Sequence, residues 1–190
     1  MTQLIIGLVL FLGIHSLSIV SADGRDAMVS RIGKWPFKGL YSVVALIGLV
    51  LIVQGYGSAR MDPTVLYTPP DWTRHISMLL MLFAFPAFVA TYFPGRISAG
   101  LKHPMLVAVK TWALAHLIAN GTLAAVLLFG GFLAWAVADR ISMKHRRQRD
   151  IPRAPASAFN DVIAVVLGLG IYFAFVLWLH SAWIGVPIIG

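Results

Sequence analysis

Lys102-His103-Pro104-Met105-Leu106-Val107-Ala108-Val109-Lys110-Thr111-Trp112-Ala113-Leu114-Ala115-His116-Leu117-Ile118-Ala119-Asn120-Gly121 is the stretch from which the rest of the chain is read. It sets a lysine and a histidine inside a run otherwise apolar enough for a membrane. Proline is tolerated at the first position of a helix, so His103-Pro104 reads as a helix entry, and Asn120-Gly121 as the turn that ends it. Trp112, His116 and Asn120 recur every four residues and share one stripe, while Ala115 and Ala119 keep the adjoining strip small enough for another helix to approach. Lys110 lies seven residues after His103, on nearly the same face. It either snorkels to the headgroups or meets an anionic group in the interior.

Composition agrees with a membrane setting. Of 190 residues, 59% are hydrophobic and 12% charged, far more apolar than a soluble domain of this length requires. The expected fold is all-α: a polytopic membrane helical bundle forming a single domain over residues 1–190, with the lipid bilayer as its main partner. The formal charge of +8 is assigned to cytoplasmic loops, and no nucleic acid is expected. The absence of cysteine excludes disulfides, thiolate ligands, iron–sulfur clusters and covalent haem attachment. Met1-Thr2-Gln3 carries no basic residue, so the first apolar segment reads as a retained span rather than a secretory signal.

Six segments are candidates to cross the bilayer: 4–20, 39–56, 72–93, 104–119, 123–138 and 162–183. The fourth and fifth, joined by Asn120-Gly121, are expected to form a hairpin, and Pro86 to kink the third. Arg25, Arg31, Lys34, Lys38, Arg96, Lys102, Arg140, Lys144, Arg146, Arg147, Arg149 and Arg153 fall on one side, Arg60 and Arg74 on the other. The rule that positive loops stay inside places both termini of this multi-pass chain outside, in the periplasm if the cell is a Gram-negative bacterium. The basic loop 140–157 reads as an anchor on anionic headgroups or a docking surface for a membrane protein partner. The 61–72 loop, rich in proline, lies outside and can fold over the bundle.

An ionisable side chain at membrane depth is costly, so His15 and His116 are candidate functional residues, weighed against neutral histidines hydrogen-bonded in the core. His75 and His180 lie near outer helix ends within reach of interfacial water, and His145 is solvated in the basic loop. Imidazole is an ordinary axial ligand to haem iron, and a helical bundle can hold a porphyrin. Depth alone pairs His116 with His75 or His180 more readily than with His15. No nucleophile stands beside a plausible base, and the acidic residues lie at helix ends, Asp139 beside Arg140 as a local pair. Trp35, Trp72, Tyr92 and Trp183 fit an interfacial aromatic belt.

Gly13-Ile14-His15-Ser16, Leu101-Lys102-His103-Pro104, Trp112-Ala113-Leu114-Ala115-His116-Leu117 with Asn120-Gly121, and Phe132-Leu133-Ala134-Trp135 running to Asp139-Arg140 resemble the NnrU family along essentially the whole chain. That family includes bacterial proteins linked to nitrite and nitric oxide reduction, and is related to the plant 15-cis-zeta-carotene isomerase, a membrane enzyme using haem b. The resemblance implies haem b held by His15 and His116 as axial ligands, with Trp112, Asn120, Lys110 and His103 around it. It implies a redox or isomerase activity, or else a non-enzymatic assembly or regulatory factor for a nitrogen-oxide reductase. Ala113 stands where the isomerase has a cysteine, which removes a thiolate ligand switch at this position.

Overall fold

The computed structural model describes residues 1–147 and 149–189. Among them the chain is helical, the one strand-like feature being an antiparallel bridge between Val65 and Thr122. The helices are α1 (Thr2–His15), α2 (Leu17–Val20), α3 (Ala22–Ile32), α4 (Lys34–Ala59), α5 (Thr73–Ala90), α6 (Arg96–Leu101), α7 (Pro104–Ala119), α8 (Leu123–Ser142) and α9 (Phe159–Ala174), the last continuing as a wider π-helical stretch, Phe175–Ile184. Four are long and apolar enough to cross a membrane: α4, α5, α8 and the continuous Phe159–Ile184 helix. Leu40, Val43, Leu46, Ile47, Val50 and Val53 of α4 are all exposed. A helix so apolar on its outer face suits lipid rather than water.

The remaining two of the six expected helices are shorter. α1 has 14 residues and α7 has 16, roughly 21 and 24 Å at ~1.5 Å per residue, against a hydrocarbon core of about 30 Å. α7 begins at Pro104, as its entry signal predicts. α1 stops five residues before the expected end of the first segment. Ser16 donates its hydroxyl to the Leu12 carbonyl at 2.6 Å, and this back-bonding interrupts the helix before α2. His15 is therefore the last residue of α1.

The chain divides into two compact units, Met1–Thr68 with Asn120–Gln148, and Pro69–Ala119 with Arg149–Gly190. In the first, α1 packs antiparallel on α4, with α8 completing the bundle. Glycine makes this approach possible. A Cβ on Gly7 would lie 2.6 Å from the Ile52 nitrogen, one on Gly48 2.8 Å from the Phe11 nitrogen, and one on Gly55 would run into the backbone of Leu4. The polar helix α3 starts at Ser21, whose hydroxyl accepts the Gly24 N–H at 2.9 Å, and ends at Gly33 with φ of 88°.

The 61–72 loop is tied down over part of its length. Leu66 and Tyr67 donate their N–H groups to the Gly121 carbonyl at 2.8 and 3.1 Å, Leu123 donates to Thr64 at 2.8 Å, and the Tyr67 hydroxyl to the Asn120 carbonyl at 2.9 Å. Gly121 is needed here, because any Cβ would collide with the Tyr67 carbonyl.

In the second unit α5 is the centre, with α7 and α9 packed on it. Gly168 of α9 lies against Pro86, where an added Cβ would stand 2.5 Å from the proline nitrogen. Close by, Val89, Ala90 and Ala164 form a small buried core with Phe93, Ile97 and Ile171 against it. The loops are stitched by Asn160, which donates to the Pro94 and Pro155 carbonyls at 2.8 and 2.9 Å, and by Asp161, which accepts the Arg96 and Ile97 N–H groups at 3.0 and 2.9 Å at the start of α6. Within the second unit α7 takes α5 as its partner, and within the first α8 takes α1 and α4. The hydrogen bonds that Gly121 and Leu123 make to 64–67 hold the Asn120-Gly121 turn to the loop.

Candidate functional site

His15 and His116 are held by the same local device. His15 donates Nδ1–H to the Phe11 carbonyl at 2.7 Å, and its ring stacks on Phe11 with centroids 4.3 Å apart and planes 27° from parallel. His116 donates Nδ1–H to the Trp112 carbonyl at 2.8 Å, with ring centroids 5.4 Å apart and planes at 51°. A carbonyl only accepts, so the proton sits on Nδ1 in both rings. This tautomer leaves Nε2 as the nitrogen that bears the lone pair, the arrangement in which a second-shell bond orients an imidazole ligand. An aromatic residue four positions before the histidine is thus both the source of the carbonyl and the surface on which the ring rests.

Their surroundings differ. In its unit His15 touches Tyr41 edge-on at 5.2 Å and Trp135 at 6.0 Å with perpendicular rings, and Asp139 is near enough for its charge to act on the imidazole. Asp139 is buried and pairs with Arg146, at the mouth of the basic loop, rather than with its neighbour Arg140. Tyr41 in turn packs on Phe37, over whose ring the Arg25 guanidinium lies at 4.9 Å. The sequence signal of this polar end is the aromatic-x-x-x-acid spacing at Trp135 and Asp139, which puts both on one face of α8.

His116 lies in the second unit, between the fully buried Ala113 and Ala115 side and the partly covered remainder of α7. Ser77 of α5 donates its hydroxyl to the Ala115 carbonyl at 2.6 Å, fixing the turn that carries the histidine. Of the outer histidines, His180 is the one near His116 in the second unit, and its own Nδ1–H goes to the Val186 carbonyl at 2.7 Å. His75 is exposed at the start of α5.

The other expected site residues stay on α7 or at its ends. Trp112 packs on His116; Lys110 is half-buried and makes no ion pair among the described residues. The His103 carbonyl accepts Val107 N–H at 3.1 Å in the first turn, and the Asn120 carbonyl accepts from Tyr67. Ala113, at the position of the isomerase cysteine, is completely buried.

Among the described residues no three His, Cys, Asp or Glu side chains gather into a site for a bare metal ion. A haem iron asks less of the protein, since the porphyrin fills its equatorial positions and only axial donors are needed. Neither a curated protein nor a solved structure matches the chain. Four helices among the described residues are long and apolar enough to cross a membrane, and the family model described as NnrU protein matches residues 3–188, so the chain belongs to the NnrU family.

Proposed function

We propose that this protein binds haem b in the bacterial inner membrane, with His15 and His116 as axial ligands, and serves nitrite and nitric oxide reduction. The observation that supports it is the repeated device: two histidines on the two shortest apolar helices, each with Nδ1–H donated to the carbonyl four residues earlier and Nε2 left to bear the lone pair. The donor chemistry fits haem. Bound there, haem supplies an iron centre for electron transfer or Lewis-acid activation. The chain's own residues do the rest: Phe11 and Trp112 set the ring planes, Ser77 fixes the α7 turn, and Lys110, on the same helix as His116, offers a positive charge to an anionic group of the ligand. The nitrogen-oxide setting and the inner-membrane location rest on the family resemblance and on the basic loops. The 140–157 segment is proposed to hold anionic headgroups or a membrane protein partner.

The test is spectroscopic. The detergent-solubilised full chain supplied with haem b is expected to show a Soret band, which His15→Ala and His116→Ala each weaken or shift. No band after supplementation would sink the haem reading. Unchanged bands in both variants would overturn the ligand assignment while leaving haem binding in place.

A further inference from the structure

The polar cluster beside His15 contains two buried donors that no described residue satisfies. Among the described residues the indole Nε1–H of Trp135 and the Nε–H of Arg146 are shut off from solvent and have no acceptor. Asp139 lies one helical turn after Trp135, on the same face of α8, and is ion-paired to Nη2 of the Arg146 guanidinium. His15 meets the Trp135 ring, and Asp139 is near enough for its charge to act on the imidazole. Buried N–H groups are costly without partners, a guanidinium N–H above all, so their persistence points to a ligand that brings the acceptor.

The charge balance says which kind of acceptor. Asp139 offsets one positive charge, but the segment 139–147 carries four basic residues, Arg140, Lys144, Arg146 and Arg147, against that single acid. The field at this end of α8 therefore favours an anionic oxygen over a neutral one. Polarity says where it comes from. Trp135 adjoins the histidine, and Arg146 is tied to the same face of α8 through Asp139, on the side where α8 runs out into the basic segment.

We infer that Trp135 and Arg146 receive a carboxylate of the tetrapyrrole held at His15, anchoring its propionate edge at the polar end of the first unit. This rests on the haem reading above and adds the residues that orient the group.

Esterification of the propionates provides the test. The full chain in detergent is titrated with haem b and with its dimethyl ester, the Soret band giving both affinities. Because hydrogen bonds to a charged acceptor are the strong class, the free acid is expected to bind about tenfold or more tightly than the ester. Trp135→Phe and Arg146→Gln should each shrink that preference several-fold, with thermal unfolding reporting whether the variants remain folded. Equal affinity for acid and ester in the unaltered protein overturns the inference, and needs no variant. So does a preference that survives both substitutions in folded protein. A Soret band absent with either compound overturns the haem reading and this inference together, so the two failures are told apart. If sodium acetate weakens acid and ester equally, the donors serve a free anion and the inference is likewise overturned.

Discussion

His15 closes α1 at a serine break, surrounded by Tyr41, Trp135 and a buried ion pair, whereas His116 lies within the last turn of α7, beside fully buried alanines and under a serine from α5. The rings are nonetheless held in the same way. What the contrast teaches is which properties are local. An aromatic residue four positions upstream on a helix suffices to fix the tautomer and ring plane, because the carbonyl and the stacking surface belong to the same turn. The polarity around Nε2 is tertiary, supplied by whichever helices pack alongside.

The packing that supplies it offers the largest effect. In the first unit α1 meets α4 backbone to backbone at Gly55, and in the second α9 meets α5 at Gly168. Gly55→Val and Gly168→Val are each expected to cost about 3 kcal/mol, the upper part of the usual overpacking range, because the obstructing atoms are main chain rather than pliable side chain. Gly57→Val and Gly170→Val serve as controls, with nothing within 4 Å of the added carbon. Thermal unfolding in detergent reads all four. Controls that fall as far as the test pair would show that the cost is general to glycine replacement, and the close approach would lose its support.

The rings beneath the histidines come next. Phe11→Ala and Trp112→Ala remove the stacking surface but keep the carbonyl, and aromatic contacts of this kind contribute about 0.5–1.5 kcal/mol, so haem affinity should fall roughly two- to tenfold. The Phe11 loss should be the larger, since its ring is closer to its histidine, at 4.3 against 5.4 Å, and more nearly parallel. Soret titration of the two variants decides it. If neither changes affinity, the carbonyl bond alone orients the imidazole.

Much of this was legible in the sequence, and the residues show why the rest was not. Hydrophobic length marked every apolar helix, and Pro104 marked the start of α7, because both are properties of a single segment. Ser16 did not announce its break: a serine inside an apolar run bends a helix only when its hydroxyl turns back to the preceding turn, a rotamer choice that sequence leaves open. Asp139 was assigned to its neighbour Arg140, yet Arg146 seven residues on takes it, because the chain leaves α8 after Ser142 and folds back. Asn120-Gly121 was read correctly as a helix end. Its partner, the 64–67 strap, contributes main-chain groups apart from the Tyr67 hydroxyl, and main-chain bonds carry no compositional signature.

Ser77 tests how much of the His116 setting comes from α5. Its hydroxyl reaches the Ala115 carbonyl at 2.6 Å and the Thr73 carbonyl at 3.1 Å. Interhelical hydrogen bonds within membranes average about 0.6 kcal/mol, so Ser77→Ala should lower unfolding stability by about that amount. A drop in stability with the Soret band unmoved would mean that the turn holds without its support, and the difference between the two settings would shrink.

The smallest expected effect is a gain, and it concerns the backbone that feeds α7. The first unit meets its positive-φ requirement with a glycine, Gly33 at 88°, but the second places Lys102 at φ of 61° and ψ of −46°. The His103 N–H reaches back to the Leu101 carbonyl at 2.6 Å across that lysine, the hydrogen bond of a γ-turn of the strained hand. A side chain there costs about 1–3 kcal/mol, whereas glycine removes the strain and gives back roughly 0.5–1 kcal/mol through its more mobile unfolded chain. With the low end of each range, Lys102→Gly should therefore raise stability by about 0.5 kcal/mol. Lys102→Ala keeps the strain while removing the same charge, and should yield no gain. Should glycine and alanine unfold together, the charge rather than the turn governs position 102, and the two units would differ in sequence there without differing in strain.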